Sequence, residues 1–309
     1  MKHVVLALAA LWLSAGTAAA QHYQLTDLTG AFTAAYDRTE GMPMPLRIKA
    51  FKTDVADRFP EFYGPQRYPG MSQADYDARI GRAIAGFAAI REGYTSKASQ
   101  FAALLDPAYA SFIREFPDMG EVGQIYLIHS LGEMDGGTRN FAGTENVLIF
   151  GADVMGRAHP YTDEEPFFHH ELFHVYHART FGGCEQVWCS LWTEGLAVYV
   201  AKSLNSDATP EQLLLTVPED IPAAVDANLR EAVCTVRDRL DSSAAGDTAA
   251  LFSFQRQTAH LPPRYGYYVG YLVAREAGRR HTIQELAHMD QVTARPIIEA
   301  SLARLARCE

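Results

Sequence analysis

The chain has 309 residues, with 37 acidic side chains against 27 basic ones and a formal charge of −10 at pH 7. That balance argues against nucleic acid or an anionic membrane as partner, because both would repel it. The length is ample for a large buried core in one domain or two tightly joined lobes.

The N-terminus, MKHVVLALAALWLSAGTAAAQ, has the form of an export leader. Lys2 supplies a basic start, Val4 to Leu13 an apolar run, and Ala18 to Ala20 the small residues that suit cleavage before Gln21. Residues 1–20 are therefore expected to be a signal peptide. The run is short of the ~20 apolar residues of a membrane helix, and no later stretch is longer. A periplasmic or secreted protein without a stable membrane anchor is expected.

From Leu25 to about Tyr94 apolar residues recur at helical spacing, as in MSQADYDARIGRAIAGFAAIREGY, with Ser72 as N-cap. YTSKASQFAALLDPAYASFIREF reads as further helix. Residues 21–119 are expected to form a helical lobe, and 120–309 the domain that carries the chemistry. VGQIYLIHSLG and NVLIFGADV read as strands, and the intervening GEMDGGTRNFAGTEN is rich in turn formers. Pro160, a group of acids and Pro166 introduce a helix that Gly182 and Gly183 end. SLWTEGLAVYVAKSL is the next helix. After Pro222 the chain is mostly helical, with tyrosines clustered from Tyr265 to Tyr271. The fold class expected is α+β, mainly helical, with a small sheet over the histidine-rich helix.

Cys184, Cys189, Cys234 and Cys308 make an even count. In an oxidising compartment this suggests two disulfides, and of the three possible pairings Cys184–Cys189 with Cys234–Cys308 is favoured. Zinc held by thiolates is the rival reading, and no C-x-x-C pair supports it.

FFHHELFHVYH, from Phe167 to His177, holds four of the chain's eleven histidines. Within it, His170-Glu171-Leu172-Phe173-His174 has the form H-E-x-x-H. On a helix, positions four apart share a face, so His170 and His174 can aim at one metal. Glu171 is turned by ~100°, beside the metal, where it can take a proton from a bound water. A buried amphipathic helix with hydrogen-bonded histidines would give the same letters. His177 shares the metal face but lies only three residues beyond His174, which crowds a tetrahedral site. His169 points elsewhere, as a structural residue would. Glu194, twenty residues after His174, can reach the metal from the next helix. Two histidines and one glutamate form a known catalytic zinc set.

HELFH followed by WTEGLAVY resembles the gluzincin metallopeptidases, over roughly Gly120 to Leu204. The resemblance implies Zn²⁺ held by His170, His174 and Glu194, Glu171 as general base, and a peptide or protein substrate. AGTEN, from Ala142 to Asn146, is similar to the G-x-M-E-N segment of gluzincin aminopeptidases. That likeness would make Glu145 the anchor for a substrate's free amine, although a polar turn is the simpler meaning. The strand after it could pair with an extended peptide. The family commonly uses a distant tyrosine or histidine against the oxyanion. In RYGYYVGYL, Tyr268 is the first choice and Tyr265 the second, with His260 in reserve. Tyr267 lies off the helical stripe that they form. Arg264 could bind a substrate carboxylate or a structural acid. Val198 stands where some gluzincins have a carboxylate supporting a metal-bound histidine. A non-catalytic binding protein on a zinc-peptidase frame is the alternative function.

Overall fold

The computed structural model describes residues 23–161, 163–256 and 258–308, so the leader expected at 1–20 lies outside the described residues. The chain opens with strand β1 (Tyr23–Asp27) and helices α1 (Thr29–Arg38), α2 (Met44–Asp54) and α3 (Gln73–Glu115). Strands β2 (Gly123–Ile128), β3 (Gly136–Phe141) and β4 (Thr144–Gly151) follow, then α4 (Ala152–Ala158), α5 (Glu165–Phe181) and α6 (Val187–Leu204). The C-terminal part holds α7 (Ile221–Ala227), α8 (Leu229–Arg237), α9 (Ala245–Phe252), α10 (Tyr265–Ala277), α11 (Ile283–Ala287) and α12 (Gln291–Leu305). The fold is mainly helical α+β with one small mixed sheet among the described residues.

Ser72 caps α3 in a reciprocal capping box with Asp75, satisfying two backbone donors that the first turn leaves open. The two helical stretches read in the sequence are one helix of 43 residues, about 65 Å long at 1.5 Å per residue. Nothing between them breaks the pattern, and Ile80, Ile84, Phe87, Tyr94, Phe101, Leu105 and Phe112 continue one buried stripe.

The sheet order is β1-β2-β4-β3, with β3 antiparallel to β4 and the other pairs parallel. Two of its strands depart from the sequence reading. β1 was expected as helix, but its five residues pair with β2 from Tyr23 opposite Gly123 to Asp27 opposite Leu127. Such a short run carries too little periodicity, and long-range pairing decides its state. The first segment thus lends a strand to the sheet of the second. β3, GGTRNF, lies in the stretch read as turns. Its glycines disfavour a strand locally, but one of them is required: a Cβ on Gly136 would stand 2.6 Å from Phe167 Cζ and 2.9 Å from Glu171 Cδ. β4, the strand expected to receive a peptide, is covered on both edges by β2 and β3. The open edge beside the histidine-rich helix belongs to β3.

Both cysteine pairs stand at disulfide distance as read, Cys184 with Cys189 and Cys234 with Cys308. This fits an oxidising compartment. The first bridges the connection between α5 and α6, which begins at Gly182 with φ 71°. The second ties α8 to the C-terminal residues.

α6 is fixed against α10 by backbone contact. A Cβ on Gly195 would lie 2.1 Å from the Gly270 carbonyl carbon, and one on Gly270 would lie 2.5 Å from the Leu191 oxygen. Any side chain there must push the helices apart, at a cost of ~1–3 kcal/mol. Gly195→Ala is expected to lower the denaturant midpoint accordingly. Gly86→Ala, on an exposed turn of α3 with nothing near its Cβ, should be neutral or gain ~0.5–1 kcal/mol. Urea titration of both variants checks the contrast.

Candidate metal centre

α5 is buried on most of its surface, with Phe167, Phe168, Leu172, Phe173, Val175 and Tyr176 all in the core. Polar atoms on such a helix must find partners or face a cavity. His169 finds partners. Asn205 Nδ2 donates to its Nδ1 at 2.8 Å, and its Nε2 meets the Ala108 carbonyl at 3.0 Å and Ser111 Oγ at 2.7 Å. Burial holds this imidazole below its ordinary pKa, hence neutral. It is structural, as the sequence suggested.

His170 and His174, one turn apart, converge. Their Nε2 atoms are 3.0 Å from each other. Glu194 Oε2, from α6, lies 3.5 Å from the first and 3.3 Å from the second. Ligand atoms at ~2.0–2.2 Å around a tetrahedral ion stand roughly 3.3–3.6 Å apart, matching the two glutamate distances and a little more than the histidine pair's 3.0 Å. The three therefore could hold one metal ion, and they form the one such group among the described residues.

The electrostatics show what this arrangement demands. Burial would lower the His174 imidazole, but the Glu194 carboxylate, with help from Glu171, overcomes it and pushes His174 up to about 9. Burial would raise Glu194, but His174 and His170 hold it well below the usual carboxylate range. His170 moves the other way, lowered first by burial and then by its charged neighbour. One positive charge is thus drawn between the imidazoles and the carboxylate.

His177 takes no part in that group. Its ring stacks between Phe173 and Phe181, with centroids at 5.1 and 4.9 Å. Burial, with a push from His174, drives it down to about 3. Its Nε2 has no partner among the described residues.

Glu171 lines the same cavity but points beside the three-atom group. It is 6% exposed, and its Oε2 has no hydrogen-bond partner among the described residues. Burial, then Asp135 and Glu194, outweigh His174 and Arg139 and push the carboxyl up to about 8. A buried carboxyl left without a donor costs stability, so its retention needs a reason beyond packing.

The cavity measures about 390 Å³, in the usual range of ligand sites. Its walls are the edge of β3 from Gly136 to Arg139, the ligand face of α5, Glu194, Leu213–Leu214, and Arg264 with Tyr267. Neither of the two tyrosines preferred from sequence lines it. Tyr268 donates to Asp226 at 3.3 Å, and Tyr265 is buried at the start of α10. His260 is exposed, outside the cavity. Successive helical residues turn by ~100°, so the buried stripe of Tyr265, Tyr268 and Leu272 carries Tyr267 round to the cavity. Its position off the stripe was the available signal. Burial, then Glu194, raise its phenol further above its ordinary pKa.

Glu145 is exposed where the short turn joins β3 to β4, away from the cavity. Besides Glu171 and Glu194, the cavity wall carries Asp135, which no motif marked. His159 Nε2 lies 3.4 Å from Asp135, and His159 Nδ1 lies 2.9 Å from Glu164, which also receives Lys97. Val198 is in the core. No family model, curated protein or solved structure matches this chain.

Two outcomes are expected. Glu194→Ala should lose metal, while His177→Ala should keep it, as read by metal content after dialysis. The pH dependence follows from His174. Its folded value near 9 exceeds the ~6.5 of an unfolded histidine. Its contribution to the metal-free fold is therefore full below ~6.5 and is lost as pH rises through about 9. A metal must displace that proton, so affinity should rise about tenfold per pH unit from ~7 towards 9, then level. Chelator competition across that range tests it, and a flat profile would contradict the assignment.

Proposed function

We propose that this chain is an exported zinc peptidase. The observation that carries the reading is the convergence of His170, His174 and Glu194 on one point, with the unpaired carboxyl of Glu171 beside it in a cavity. Two imidazoles and one carboxylate leave an open coordination position, as a catalytic zinc site requires. Zinc held there would supply Lewis acidity and bring a water's pKa to ~7.

Glu171 receives the proton of the attacking water and returns it to the leaving amine. Tyr267, kept protonated by its surroundings, donates to the oxygen that becomes negative as the carbonyl is attacked. The free edge of β3 receives the substrate backbone as an added strand. Gly136, which brings that edge against Glu171, sets the substrate's distance from the proton acceptor. The exposed position of Glu145 leaves the likeness to aminopeptidases without its amine anchor. The leader-like N-terminus and the two disulfides support export.

The test is a diverse peptide mixture incubated with the zinc-loaded chain and read by mass spectrometry. Glu171→Gln is expected to keep its zinc and lose all cleavage; normal turnover by that variant would sink the mechanism. Tyr267→Phe should lower kcat by roughly 10²–10³ with little change in KM, the loss typical of one oxyanion donor. Tyr268→Phe should leave kcat nearly unchanged.

A further inference from the structure

The cavity wall carries a cation, Arg264, with no direct carboxylate partner among the described residues. Arg264 is 9% exposed, yet it forms no ion pair among the described residues. Its Nη1 donates to the Leu214 carbonyl at 3.3 Å and the Val217 carbonyl at 3.1 Å. No hydrogen bond from its Nε or Nη2 is formed among the described residues. The other guanidinium on the wall, Arg139, is already bound to Glu133 at 3.0 Å. Asp135, the acid facing Arg264 across the cavity wall, is engaged by His159 and by the Gly136 N–H.

The guanidinium is also held in orientation. Its carbon lies 5.0 Å from the Phe254 ring centroid and 4.7 Å from that of Tyr267. Its backbone has φ 65° and ψ 13°, a left-handed conformation that is unfavourable for a non-glycine residue. A buried charge with no direct ion pair among the described residues, on a left-handed backbone, facing a cavity, is costly for stability alone. A planar fork with free donors is the group that best matches a carboxylate.

We propose that Arg264 binds a carboxylate of the substrate, so that the cavity selects acidic peptides. The carboxylate is either the free C-terminus or an aspartate or glutamate side chain near the bond to be cut. This inference rests on the peptidase reading only for the word peptide; the carboxylate site stands on the cavity itself.

The test uses the full mature chain, zinc-loaded, in the Glu171→Gln form so that binding is read without turnover. Short alanine–leucine peptides are titrated calorimetrically in pairs: free C-terminus against amide, and internal glutamate against glutamine. The acid member of one pair should bind ~10- to 100-fold tighter, the range of a charge-assisted hydrogen bond pair, and the pair that differs names the source. In Arg264→Gln that difference should collapse. Equal affinity within both pairs, or binding of neither, overturns the proposal without need of any Arg264 variant. The same peptides given to the chain with Glu171 intact separate the two readings. Cleavage indifferent to the carboxylate sinks the carboxylate site and keeps the peptidase. Carboxylate-selective binding without cleavage supports the carboxylate site and sinks the peptidase.

Discussion

The arrangement depends on one partly buried carboxylate between two imidazoles. Glu194 is costly where it stands unless a positive charge lies against it. His170 and His174 can share only one proton in that space, and a divalent ion satisfies all three atoms at once. The rest of the centre follows from holding these atoms 3.0–3.5 Å apart. α5 must be rigid, and it is packed on nearly every side by aromatic and aliphatic residues. α6 must present Glu194 at a fixed depth, and the backbone contact of Gly195 with Gly270 prevents it from drifting away from α10. The glycine that follows the ligand is therefore as demanding a position as the ligand.

The same contact places chemistry from far along the chain. Because α10 touches α6 backbone to backbone, its first turn delivers Tyr267 and Arg264 to the cavity wall. On the opposite wall Gly136 lets β3 lie directly on Glu171 and Phe167. Two glycine contacts thus set both sides of one cleft around the histidine helix.

The candidate metal ligands were legible because they are local. H-E-x-x-H needs only helical periodicity, and Glu194 lies on the very next helix. The strands β2 and β4 were legible because their cores are β-branched and buried on both faces. β1 was not, since its strand state comes from pairing with β2 a hundred residues on; β3 was not, since its glycines and polar residues read as turn and only its hairpin with β4 and its seat on α5 make it a strand. That Tyr267, rather than Tyr265 or Tyr268, lines the cavity was hidden for a related reason. Periodicity identified a stripe at Tyr265 and Tyr268, but a regular stripe marks what is buried, and Tyr267 interrupts it. Asp135 gave no signal at all, because it sits between turn formers and acquires meaning only when β3 settles over α5.

The chain spacing of the centre bears on how the protein is made. All three candidate ligands lie on two consecutive helices, His170 to Glu194, joined by a connection that Cys184–Cys189 closes within five residues. Closing so small a loop loses little chain entropy, and helical contacts of low sequence separation form quickly. The groups that would meet the substrate from the other side, Arg264 and Tyr267, emerge some seventy residues later. The three candidate ligands therefore come together early along the chain, whereas the wall opposite them, and the Gly195–Gly270 contact that holds α6 in place, exist only once the later half of the fold has closed on that hairpin.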